Sequence, residues 1–362
     1  MKNTFGNSVA ITLFGESHGE YIGAVLDGLA PGVEVNVDYI ADMLTLRRPE
    51  GKISTPRKEN DEFKIVSGVV NNVTTGTPIT ILVKNENVKS GDYSELRTVA
   101  RPSHADLTAE YKYHGYQDTR GGGHFSGRIT AALVAAGAIC KYALEKKGVY
   151  IGTHVKKCAG VSDREFNDLS KDIPEISKKK FAVLDEKKGE KMREAILAAA
   201  DVGDSVGGIL ETAIIGMPAG VGEPWFDTVE GMLSHIIFSI PAVKAIEFGA
   251  GFAISDMKGS SANDPIRLKN GKIVTATNNS GGINGGITNG MPIVFRTAVK
   301  PTPTIFKPQD TVDLKEMVET VLEPKGRHDP AIVHRARIVQ DAAVAIVLCD
   351  ALAMRYGTDF LK

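Results

Sequence analysis

The chain has 362 residues, with 43 Lys and Arg against 44 Asp and Glu, a formal charge of −1 with histidine neutral. That balance argues against a chain held by nucleic acid or by an anionic membrane, since both call for a basic field or a long basic face. With 42% hydrophobic and 24% charged residues it reads as a globular protein, long enough for about two domains or one large one with a well-buried core.

The opening, MKNTFGNSVAITLFGES, has no basic region followed by a long apolar one, and no window approaches the roughly 18 unbroken apolar residues of a membrane span, so a cytoplasmic chain with no membrane partner is expected. Residues 8–14 (SVAITLF) predict a strand, and GAVLDGLAPGV from Gly23 a second one running into a Pro-Gly turn. Helical spacing from Asp38 to Leu46 ends in the basic stretch Arg47-Arg48-Pro49. Next come strand-like FKIVSGVV, the turn Thr74-Thr75-Gly76-Thr77-Pro78 and the strand ITILVKN. Residues 127–147 predict a mostly apolar, buried helix whose lysines sit at its C-terminal end, where the helix dipole favours them. From Asp163 to Glu194, 18 of 32 residues are charged with mixed sign, which predicts a solvated, partly helical surface segment and not a nucleic-acid patch.

A faint internal repeat runs through this order. Gly15-Glu16-Ser17 leading to LAPGV is echoed by Gly203-Asp204-Ser205 leading to MPAGV; TTGTPITILVKN is echoed by TNGMPIVFRTAVK; and the apolar helix after Gly127 is echoed from Asp341. Three echoes in one order predict two similar α/β halves, about 1–160 and 195–362, in a single domain spanning 1–362 with the charged segment between them. A cleft between such halves is a natural place for a ligand.

Most familiar sites are absent, and one, a serine hydrolase using Ser17, is the lesser alternative. Cys140, Cys158 and Cys349 are odd in number and far apart, which predicts free thiols and no zinc or other metal site. Neither Gly-Lys pair is followed by Ser or Thr, and no dinucleotide fingerprint aligns. Gly15-Glu16-Ser17-His18-Gly19 satisfies G-x-S-x-G, the serine-hydrolase elbow, but one strand precedes it and a strand, not a helix, follows. The stronger pattern is a set of short clusters joining His or Arg to flexible backbone: Ser17-His18, Arg47-Arg48, Arg101-Pro102-Ser103-His104, Arg120-Gly121-Gly122-Gly123-His124-Phe125-Ser126-Gly127-Arg128, Lys300-Pro301-Thr302-Pro303-Thr304 and Gly326-Arg327-His328-Asp329. Arginine forks and glycine-rich backbone suit a small polyanion plus a phosphate-bearing cofactor, and histidine adds proton transfer near neutral pH. His114, His154, His235 and His334 are read as structural.

In this order, GESHG, RRP, VTTGTPI, RPSHAD, RGGG with Ser126 and Arg128, VKPTPT and GRHDP resemble the motifs of the chorismate synthases over nearly the whole chain. The resemblance implies a β-α-β sandwich of α/β (α+β) class, a homotetramer, and a reduced-FMN-dependent lyase that converts 5-enolpyruvylshikimate 3-phosphate to chorismate and phosphate in aromatic biosynthesis. It implies substrate contacts at Ser17, Arg47, Arg48, Arg101, Arg120 and Arg128. Proton handling would fall to His18, His104 and Asp329. The flavin would draw on His124, Phe125, Ser126, Pro241, Ala242, Gly285, Lys300, Pro301, Thr302, Pro303, Thr304 and Arg327. Where NADPH is used, Arg47 is the implied contact; without a fingerprint, supply by a separate flavin reductase is favoured over a built-in NADPH oxidoreductase. The chain departs from the family pattern at His124-Phe125-Ser126-Gly127-Arg128-Ile129-Thr130, where relatives read RSSARET, at Ile53, where an arginine is common and Arg57 is a possible substitute, and at Ala331 in place of Cys.

Overall fold

The computed structural model describes residues 2–55, 60–86, 98–323 and 329–362. Arg57, Arg327 and His328 lie outside the described residues.

Alternating apolar residues build two five-stranded, wholly antiparallel sheets. The first comprises β1 (Thr4–Phe5), β2 (Ala10–Gly15), β3 (Tyr21–Asp27), β4 (Phe63–Ser67) and β5 (Ile79–Lys84), in the order β1-β2-β3-β5-β4. The second comprises β6 (Tyr150–Cys158), β7 (Val161–Ser162), β8 (Gly208–Ile215), β9 (Val243–Phe248) and β10 (Ile293–Val299), in the order β7-β6-β8-β10-β9. The expected strand FKIVSGVV stops at Ser67, since Gly68 takes a φ of +78° and the chain leaves the sheet there.

Helices fill the space between the sheets. The chief ones are α3 (Thr130–Lys146) and α7 (Val333–Tyr356), flanked by α1 (Val37–Arg47) and α6 (Val229–Ile237). Helix α3 lies on β2, β3 and β5, helix α7 on β6 and β8, and the two pack on each other. Both are buried over most of their length, which suits a core layer and not a surface. The segment Gly127–Lys146 has the length and hydropathy of a membrane span but is buried inside the protein. Gly137 brings the pair together: a Cβ there would stand 2.5 Å from the Ala342 carbonyl oxygen.

Three further helices sit outside this layer: α2 (Asp106–Tyr113) beside the site described below, and α4 (Leu169–Ser177) and α5 (Glu186–Asp201) within and beyond the charged segment. That segment is not wholly solvated, because Phe181, Ala182, Val183 and Leu184 are buried. Strand β6, which falls in the first half by residue number, pairs with β8 in the second sheet. All three cysteines are free and buried.

Candidate active site

One end of the sandwich gathers the ends of elements from both sheets around a cavity of about 1070 Å³. Helix α1 delivers Arg47 in its last turn; short 3-10 turns before α3 carry His124 to Ile129; the chain leaving β10 carries Lys300; and Asp329 precedes α7. Arg47, Arg101, His104, His124, Phe125, Ser126, Arg128, Pro241, Ala242, Lys300, Thr302, Pro303 and Asp329 all line it. Both long core helices begin at this wall, where a helix dipole favours anions.

Contacts between distant segments shape the wall. His104 Nε2 and the Thr304 hydroxyl are 2.5 Å apart, and Lys300 Nζ donates to the Ser103 carbonyl at 2.6 Å. A further pair, β11 (Gln309–Asp313) and β12 (Val318–Leu322), supports the same loop, since the Ala100 N–H donates to the Val312 carbonyl at 3.2 Å. The Asp329 carboxylate accepts the Thr55 N–H at 2.8 Å and Arg335 Nη1 at 2.9 Å, and Arg335 Nε donates to the Arg47 carbonyl at 3.1 Å.

Ser17 and His18 stand just behind the wall, largely buried, with Ser17 Oγ 3.1 Å from His18 Nδ1. Gly121 covers them: with φ +63°, a Cβ there would lie 2.5 Å from His18 Cε1 and 3.2 Å from Ser17 Oγ, so the position requires glycine. The Ser17 N–H donates to the Gly123 carbonyl at 3.0 Å and His124 Nδ1 to the Gly15 carbonyl at 2.8 Å, which ties the GESHG turn to the glycine run. The chain after Gly19 enters antiparallel β3, so Ser17 is not on a strand-to-helix elbow.

Four of the expected arginines are met by internal carboxylates. Arg101 clasps Asp106 with Nε and Nη2, both at 2.7 Å, and donates to the Gly121 carbonyl at 3.0 Å. Burial pushes the Asp106 carboxyl up, but the hydrogen bonds and charge of Arg101 outweigh it and hold it below the usual range. Arg120 pairs with Asp118, whose carboxyl its hydrogen bond pulls down, and stands off the cavity wall. Arg47 and Arg128 share Asp61.

Other expected residues stand apart. Arg48 donates to the Asn60 carbonyl and lines a separate groove, because the chain breaks out of α1 at that residue and turns its side chain away from Arg47. Gly285 lies in a hairpin between Ile283–Asn284 and Ile287–Thr288, and neither it nor Pro301 or Thr304 is on the cavity wall. Position 53 explains one departure from the family pattern: Ile53 is buried in a core cluster with Val155 and Phe181, and Ala331 belongs to the same cluster.

Asp61, Asp106 and Arg335 also line the cavity, as does His235, which was expected to be structural. Asp106 closes the RPSHAD motif, and Arg335 is the third residue of α7, six residues after Asp329. Asp61 lies in the polar run Lys58-Glu59-Asn60-Asp61-Glu62, where nothing marks one acid from another. His114 caps α2 at φ +55°, and His334 is buried 2.8 Å from Ser54 Oγ with its pKa pushed down to about 3 by burial and by Arg335.

An antiparallel sheet–helix–sheet sandwich with an arginine- and histidine-lined cavity at the ends of its core helices defines an enzyme for a small polyanionic substrate. Comparison with known proteins narrows that class. The family profile described as chorismate synthase matches residues 9–353. A chorismate synthase of Thermococcus kodakarensis is 46% identical over 97% of both chains. One of Aeropyrum pernix is 46% identical, covering 98% of this chain and 93% of its own. A solved structure entitled "Crystal Structure of Chorismate Synthase" superposes with a TM-score of 0.77 at 29% identity, over 97% of this chain and 94% of that one. The chain belongs to the chorismate synthase family, a family of lyases that eliminate phosphate with the help of reduced flavin.

Proposed function

We propose that this cavity binds 5-enolpyruvylshikimate 3-phosphate beside reduced FMN and carries out the redox-neutral 1,4-elimination that yields chorismate and inorganic phosphate. One carbon–oxygen bond and one carbon–hydrogen bond break, a carbon–carbon double bond forms, and no electrons are lost overall. The observation that supports this most strongly is the convergence of Arg47, Arg101, Arg128, Lys300, His104 and Asp329 on one cavity.

The substrate's phosphate and two carboxylates call for guanidinium forks, and Arg47, Arg101 and Arg128 supply them. His104, oriented by Thr304, protonates the departing phosphate, and His18, steadied by Ser17, holds a second proton behind Gly121. Asp329, fixed by Thr55 and Arg335, takes part in moving the proton lost from the ring.

The residues fit a flavin as well. A volume of about 1070 Å³ accommodates a cofactor with its substrate, Phe125 offers a half-exposed aromatic face, and Lys300 offers a cation for the phosphate. His124, Phe125, Ser126, Pro241, Ala242, Lys300, Thr302 and Pro303 would hold it, with Arg327 in the same reading. When bound there, reduced flavin would supply transient electron density to the elimination.

An NADPH-dependent reductase acting as a separate partner, with any direct NADPH contact at Arg47, a cytoplasmic location and a homotetramer complete the proposal. Exposed Trp225 at 89% and Phe226 at 86%, together with Phe252 and Leu268, give the apolar surface that a second copy would cover.

Binding titrations test the two-ligand cavity. Arg101→Ala weakens substrate by about tenfold or more and leaves FMN affinity unchanged, whereas Lys300→Ala does the reverse. Both changes falling on the same ligand would contradict the arrangement.

A further inference from the structure

Asp61 is buried, 4% exposed, between two arginines that come from different parts of the chain. Its Oδ2 accepts Arg47 Nη1 at 3.2 Å and its Oδ1 accepts Arg128 Nη1. Each guanidinium is also held from behind. Arg47 Nε donates to the Thr130 hydroxyl at 3.0 Å and Nη2 to the Gly127 carbonyl at 2.9 Å. Arg128 Nε donates to Asn85 Oδ1 at 2.9 Å and Nη2 to the Lys84 carbonyl at 2.9 Å. Both arginines are only 6% exposed, and two like charges so close and so dry need a shared counter-charge.

Asp61 also holds a left-handed backbone, φ +49°, which costs a non-glycine residue energy and persists where the surroundings fix it. Two residues later β4 begins, and the Lys84 N–H donates to the Glu62 carbonyl at 3.3 Å, so the main chain beside Asp61 is anchored to the sheet that also holds Arg128. A carboxylate on an anchored backbone is a fixed strut and not a flap that swings aside for a ligand.

From this geometry we infer that Asp61 is a positioning residue for substrate: it sets Arg47 and Arg128 side by side at the spacing that receives the substrate's anionic groups. The inference rests on the proposed substrate reading. Asp61 acts through the two arginines and not on the reacting atoms. It neutralises one of the two positive charges and keeps both guanidinium groups in register, so the arginines are ordered before the anion arrives.

Steady-state kinetics with reduced FMN on wild type, Asp61→Asn and Asp61→Glu test this. The expected result is a rise in substrate KM of about tenfold or more in Asp61→Asn, with a smaller change in kcat and an unchanged FMN affinity. Asp61→Glu, which keeps the charge but moves it by one methylene, shows a smaller rise with an unchanged thermal midpoint, and it carries the test if Asp61→Asn fails to fold. Unchanged KM in a folded variant overturns the inference, and so does a lower KM, which would make Asp61 a competitor of the substrate. Failure of the wild-type chain to turn over the enolpyruvyl substrate removes the functional reading, and this inference with it; the wild-type arm therefore separates the two failures.

Discussion

His104 reaches the cavity from a loop that its own sheet does not hold: the Thr304 hydroxyl, the Lys300 ammonium and the Val312 carbonyl fasten that loop from the other side. A general acid placed this way gives its proton from one geometry. Its removal in His104→Ala lowers turnover by about 10²-fold or more while FMN binding stays within about twofold, checked by pre-steady-state assay and flavin titration. Turnover at the wild-type level would return His104 to a structural role. Arg47→Lys tests the fork: an ammonium cannot bond Thr130, Gly127 and Asp61 and also receive an anion bidentately, so substrate affinity falls by about tenfold with the fold intact. Residues of this kind were legible because each combines an unusual side chain with turn-forming neighbours. Arg48 shows the limit, since adjacent arginines look alike in sequence while the end of a helix sends them to different grooves. Carboxylates that neutralise a site, such as Asp61, carry no local signal, because their role exists only once distant segments meet.

Among the elements, α3 was readable from its mostly apolar character, the apolar stretch of α7 from Asp341 onward as the echo of α3, and the strands of the first sheet from alternation and Pro-Gly punctuation. The two sheets share one connectivity: β2, β3, β5 and β4 neighbour one another in the same order as β6, β8, β10 and β9. This supports the proposal of two repeated units, with the second unit's first strand at Tyr150, ahead of the charged segment. Sequence echoes did not mark that strand, because β6 carries His154 and polar residues that join a buried network and so hide the apolar pattern. Where α3 meets α7, Gly137→Ala adds a methyl group 2.5 Å from a carbonyl oxygen and 2.6 Å from the Ala342 Cβ, inside a core that cannot yield. Urea denaturation should show a loss of about 1–3 kcal/mol, and an unchanged midpoint would mean that the helices are free to separate.

At the scale of the molecule, stability is tied to a charge cluster far from the cavity. His154 is buried between Asp163, 2.9 Å from Nδ1, and Glu211, 3.0 Å from Nε2, while Arg296 also pairs with Glu211. Burial pushes the imidazole pKa down, but hydrogen bonds and charge from the two acids outweigh it and hold it above the usual 6.5. Burial raises both carboxyls, and the hydrogen bonds and charge of His154 more than offset this, leaving them below their usual 3.8 and 4.5. A raised histidine stabilises fully below 6.5 and loses its contribution as pH rises through the folded value; depressed acids contribute above their usual values and lose it as pH falls. Thermal midpoints should therefore be highest between about pH 4.5 and 6.5 and decline on the alkaline side, and His154→Gln should flatten that decline. Parallel curves for wild type and variant would place the charge balance elsewhere.

In the proposed reaction, one cavity built from both sheets performs a redox-neutral elimination in which reduced flavin is needed yet not consumed. Counting chorismate formed per reduced FMN under strictly anaerobic conditions tests it most directly. Many turnovers per flavin are expected, with the flavin still reduced at the end and no product from oxidised FMN alone. One flavin oxidised for each product, or activity without flavin, would contradict it.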